Sequence, residues 1–141
     1  MIVIKVRTPN CLVLECPSDL GNLDALVDET GAFVEEIGLD EELAYKIVLL
    51  MSEAATNAIT HGNAEDPAKK VDIELRCAPR QIALIVEDEG EGFNLDEIED
   101  PISAENLMRG GGRGLFFIRE MAEEVHLENN GRRIRMIFHV P

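Results

Sequence analysis

Val71-Asp72-Ile73-Glu74-Leu75-Arg76-Cys77, then Ala78-Pro79-Arg80, then Gln81-Ile82-Ala83-Leu84-Ile85-Val86-Glu87-Asp88: the reading of this run decides the fold. Residues 71–77 alternate apolar and polar, the period of a strand with one face buried. Ala78-Pro79-Arg80 breaks the pattern and turns the chain. Residues 81–88 are more continuously apolar and read as a more fully buried strand. Together they predict an antiparallel hairpin.

Upstream, residues 2–6 and 11–16 are short apolar-rich runs on either side of Thr8-Pro9-Asn10, and they read as two strands joined by a turn. Ser18 and Asp19 can cap a helix reaching about Glu36. Its apolar positions Leu23, Leu26, Val27, Phe33, Val34 and Ile37 recur at helical spacing, and Gly38 ends it. Asp40 caps a second helix, with Glu41 and Glu42 where they suit the dipole. This helix reads to about Thr60, with Leu43, Ile47, Leu50, Met51, Ala54 and Ala58 as its buried stripe.

Downstream, residues 93–112 carry no clean period and include Pro101 and a glycine run. Residues 114–124 resume a helical pattern. Strands at 125–129 and 132–139 close the chain around Asn129-Asn130-Gly131, a strong hairpin signal. The order is ββααββ, a loop, then αββ. It predicts an α+β two-layer sandwich, with a mostly antiparallel sheet and helices on one face. One domain over residues 1–141 is expected.

Composition narrows the function. Of 141 residues, 13 are Lys or Arg and 28 are Asp or Glu, a formal charge of −15. Such a chain repels a phosphate backbone and an anionic membrane surface, so no direct nucleic acid and no membrane is expected among its partners. Cys11, Cys16 and Cys77 form no CxxC pair. Cys11 and Cys16 lie in apolar runs and read as small core residues. The first residues lack the apolar core of a signal peptide, and residues 47–51 are too short an apolar run to span a bilayer. A soluble, cytoplasmic protein is expected.

Three islands carry chemistry. In the first, Glu53 and Asn57 sit one helical turn apart on one face, at the edge of the apolar stripe, with His61-Gly62 just beyond. An Asn carbonyl suits a hard cation such as Mg²⁺, and a Glu can accept a proton. In the second, a buried strand runs into Asp88-Glu89-Gly90-Glu91-Gly92. Its glycines allow close backbone approach, and its carboxylate can accept from an exocyclic amine. In the third, Arg109-Gly110-Gly111-Gly112-Arg113-Gly114-Leu115 opens a helix, offering free N–H groups, the positive dipole end and two arginines to an anion. Alone, each also fits something plainer: a solvated helix edge, a surface turn, a linker. No Walker lysine follows the third island, and the GxGxxG spacing of a dinucleotide fold is absent.

Taken in order, the islands resemble the GHKL superfamily of ATP-binding domains. Glu53 and Asn57 look like its N box, Asp88-x-Gly90-x-Gly92 its first glycine box, and Gly112-x-Gly114 its second. More narrowly, residues 52–62 and 112–118 are similar to the bacterial anti-sigma factor serine/threonine kinases. The resemblance implies the Bergerat fold, with ATP and Mg²⁺ as cofactors. It implies that Asn57 coordinates Mg²⁺, Glu53 is the general base, and Asp88 binds the adenine amine. It further implies that Gly90 and Gly92 shape the adenine pocket, that Gly110, Gly111, Gly112, Arg113, Gly114 and Leu115 wrap the phosphates as part of a lid, and that Arg109 or Arg113 neutralises phosphate charge. The implied activity is phosphorylation of a serine on an anti-anti-sigma (STAS-type) protein, together with sequestration of a sigma factor. A homodimer is also implied, since family members commonly dimerise.

Two other readings compete. A histidine kinase needs a phosphoacceptor His on a separate helix pair, for which there is no room. His61, His126 and His139 also lack the HExxH spacing of a zinc hydrolase. The second is non-catalytic: a nucleotide-binding anti-sigma module that grips its partner without transferring phosphate.

Overall fold

A computed structural model describes residues 1–91 and 118–141. Six strands form one sheet: β1 (Val3–Thr8), β2 (Cys11–Pro17), β3 (Lys70–Ala78), β4 (Gln81–Glu87), β5 (Glu124–Glu128) and β6 (Arg133–His139). Their order across the sheet is β1-β2-β3-β4-β6-β5, and every neighbouring pair is antiparallel. The hairpin read from residues 71–88 is its centre, with Ile73 opposite Val86 and Leu75 opposite Leu84.

Two helices, α1 (Leu23–Glu36) and α2 (Glu41–Asn57), lie between β2 and β3 in the chain. They bury Leu26, Phe33 and Val34 of α1 and Ile47, Leu50, Met51 and Ala54 of α2 against one face of the sheet. The sheet answers with Leu12, Leu14, Ile73, Leu75, Leu84, Met136 and Phe138, all essentially inaccessible to water. Strand alternation sends the intervening side chains to the other face. That face carries ion pairs, Lys5 and Lys70 with Glu15 and Arg133 with Glu87 and Glu128, together with two buried apolar residues, Ile85 and Ile137. The architecture is the expected α+β two-layer sandwich, consistent with the GHKL ATPase fold.

Several boundaries differ from the expected ones. Asp19 caps a single 3₁₀ turn (Leu20–Asn22) that precedes α1, accepting from the Gly21 amide. Ser18 is no cap: it is buried and donates to the Lys69 carbonyl. Asp40 stands at the N-terminus of α2 but makes no side-chain capping bond. After Asn57 the helix widens into one π-turn (Ala58–Gly62), which precedes the loop leading to β3. Residues 118–121 are helical, and β5 begins at Glu124, where the sequence pattern still read as helix. The β5–β6 turn uses three left-handed residues in succession, Asn129, Asn130 and Gly131, as residue types tolerant of positive φ allow. Cys16 is buried, as expected, and burial pushes its thiol up to about 11.

Candidate functional site

A cavity of about 430 Å³ opens between the end of α2, the π-turn, the end of β4 and the start of β6. That volume is within the range of small-molecule sites, roughly 300–1,000 Å³. Its wall includes Asn57, His61, Gly62, Val86, Asp88, Leu127 and Arg132. Two of the three islands therefore meet in one place. Helical spacing carries Asn57 there, and the end of β4 at Glu87 frees the Asp88 side chain to leave the sheet.

Asp88 is half-buried and tightly held. Its backbone N–H donates to the Arg132 carbonyl at 2.9 Å, and its Oδ1 accepts from the Gly90 amide at 2.8 Å. Burial pushes its carboxyl above the ordinary range, against the opposing pull of the Gly90 N–H and the Arg132 charge. The adjacent backbone is packed so closely that only glycine fits. A Cβ on Gly62 would collide with the Asp88 carboxylate, and one on Gly90 with the Gly62 carbonyl oxygen. Gly62 and Gly90 are thus a matched pair, one from each island.

Asn57 differs. Its amide nitrogen is buried and has no hydrogen-bond partner among the described residues. Buried polar atoms are nearly always paired, so an orphaned amide in a cavity wall suits a bound ligand. The nitrogen and oxygen of the amide can exchange places by a flip, so either could serve. Among the described residues, no group of three His, Cys, Asp or Glu could hold a metal by itself. Mg²⁺ does not require one, since it commonly takes one protein oxygen or two together with phosphates and water. The residues present fit that mode.

Glu53 is half-buried on α2, one turn before Asn57, and its neighbour Ala54 lines the cavity while Glu53 does not. Gly92, Arg109, Gly110, Gly111, Gly112, Arg113, Gly114 and Leu115 lie outside the described residues. Sequence reasoning missed Asn63, Lys69 and Arg132. Asn63 directly follows His61-Gly62, but nothing in its local pattern distinguishes it from an exposed turn residue. No described helix is long and apolar enough to cross a membrane.

Comparison with known proteins finds one family and several relatives. A family model described as the histidine kinase-like ATPase domain matches residues 16–138. The chain is 32% identical over 96 residues to the anti-sigma F factor of Shouchella clausii (strain KSM-K16), an alignment covering 67% of this chain and 66% of that protein. It is 34% identical over 110 residues to the anti-sigma F factor of Clostridium perfringens (strain SM101 / Type A), covering 74% and 79%. It is 30% identical over 88 residues to the serine-protein kinase RsbW of Bacillus subtilis (strain 168), covering 58% and 55%.

Proposed function

The chain belongs to the histidine kinase-like ATPase family, and on that premise we propose that it is an Mg²⁺- and ATP-dependent serine/threonine kinase. Its substrate is a serine on an anti-anti-sigma (STAS-type) protein. It also sequesters a sigma factor, so that phosphorylation switches partners. The relatives named anti-sigma F factor and serine-protein kinase support this reading. The observation that carries it is that one cavity is lined by both the fixed Asp88 carboxylate and the orphaned Asn57 amide.

In this mechanism Asp88 accepts from the adenine amine, and the close contact of Gly62 with Gly90 keeps its carboxylate in place. Asn57 would hold Mg²⁺ through its side-chain amide oxygen, and the cation would supply charge neutralisation for the phosphates. Arg109 or Arg113 and the amides of residues 110–114 bind the remaining phosphate oxygens. Glu53 takes the proton from the attacking serine hydroxyl. Phosphoryl transfer needs little covalent help from protein, so positioning and charge do most of the work.

A non-catalytic switch is the second reading, and one observation favours it: Glu53 does not line the cavity formed by the described residues. Incubation with γ-labelled ATP, Mg²⁺ and an anti-anti-sigma protein separates the two. The kinase reading expects label on a partner serine, and a loss of about 10²-fold or more in Glu53→Ala with ATP binding retained. Nucleotide binding without label favours the switch. Normal transfer by Glu53→Ala removes Glu53 as the base. Calorimetry that registers no binding at millimolar ATP overturns both.

A further inference from the structure

We infer that Asn63 is the positioning residue for the Asp88 carboxylate, and through it sets the preference for a purine carrying an exocyclic amine. The inference rests on the reading of Asp88 as the acceptor of that amine. Asn63 is wholly inaccessible to water. A buried amide is tolerated only when its hydrogen bonds are made, and here they are. Its Nδ2 donates to Ser18 Oγ at 2.7 Å and to the Lys70 carbonyl at 3.0 Å, while its Oδ1 accepts from the Glu89 amide at 2.8 Å. Its own backbone N–H donates to the Ala58 carbonyl at 2.8 Å, closing the π-turn behind Asn57.

One side chain therefore ties together four segments: the end of β2, the start of β3, the π-turn, and the loop after β4. The last of these ties bears on recognition. The Asp88 amide is held by Arg132 and the Glu89 amide by Asn63, so the peptide units on both sides of the Asp88 Cα are fixed. The Gly90 amide then returns to Oδ1 and limits rotation of the carboxylate. Without Asn63 the loop keeps its backbone bond to Arg132 and the bond from the Lys70 amide to the Glu89 carboxylate, but loses its link to the buried interior. The Ser18 hydroxyl extends the network by donating to the Lys69 carbonyl, which fixes the oxygen that Asn63 uses. A carboxylate that must meet one N–H gains its selectivity from such fixation.

The test compares ATP with inosine triphosphate, whose ring carries a carbonyl where adenine carries the amine. Calorimetry in Mg²⁺ on the full chain is expected to show ATP bound about tenfold or more tightly than inosine triphosphate, and Asp88→Ala is expected to remove the difference. In Asn63→Ala the ratio is expected to shrink to about threefold or less while the Mg²⁺ dependence of binding persists. A merely structural role would lower the melting temperature and leave the ratio alone. Where Asn63→Ala does not fold, Ser18→Ala is the second variant, with a ratio narrowed about twofold. An unchanged ratio in folded Asn63→Ala, or in Ser18→Ala in its place, overturns this inference by itself. No discrimination by the unaltered chain, or discrimination that survives Asp88→Ala, overturns the reading of Asp88 and this inference with it.

Discussion

Of two residues that line the cavity, Asp88 is held by its neighbours on both sides, whereas Asn57 carries a buried amide nitrogen that no described residue satisfies. The Asp88 region has its hydrogen bonds made within the protein, which fixes a recognition geometry before any ligand arrives. The Asn57 region leaves hydrogen-bonding capacity unused, and a ligand can complete it. A satisfied network stabilises the fold, while an orphaned group weakens it and is retained for another reason.

Substitution of Asn63 should give the largest effect on that contrast. Asn63→Ala removes three hydrogen bonds, to Ser18, the Lys70 carbonyl and the Glu89 amide, and should cost about 3 kcal/mol in urea unfolding. A loss below about 1 kcal/mol would mean that the Asp88 region is not held as described. Asp88→Ala should weaken ATP by about 10- to 100-fold, the worth of one hydrogen bond to a charged group. Without nucleotide its melting temperature should hold or rise, because a carboxylate that burial disfavours has been removed.

A pH titration sharpens the same point. Burial raises the Asp88 pKa in the folded chain above its unfolded value, so between the two the folded state binds more protons. As pH falls through the raised value, ATP affinity should drop, beginning at a higher pH than an exposed carboxylate of about 3.9 would give. Across that same window the Asp88 contribution to unliganded stability should rise. Asp88→Asn should remove both trends. If the variant titrates as the unaltered chain does, another group is responsible.

Asn57→Ala should give the smallest change in stability, within about 0.5 kcal/mol, since its amide nitrogen bonds to nothing described. Mg²⁺-dependent nucleotide binding should nevertheless be lost. A cost as large as that of Asn63→Ala would break the contrast.

Much of this was legible in the chain itself. The 71–88 hairpin, the two helices and the closing strands follow from periods of two and 3.6 and from turn residues, because those patterns are local. Asn57 and Asp88 were legible for the same reason, one on the border of a helical stripe and one where a buried strand meets glycines. Ser18 was misread because a serine before a helix suits a cap equally well. The π-turn was missed because it looks like ordinary helix in sequence.

The sequence determined the elements, their amphipathic faces and the residue types that carry the chemistry, since each depends on neighbours a few positions away. Only the tertiary structure decided that Gly62 meets Gly90, and that Asn63 reaches Ser18, Lys70 and Glu89 at separations of 45, 7 and 26 residues. Contacts of that kind form only when helix and sheet pack, and no local pattern encodes which buried polar groups will then find one another.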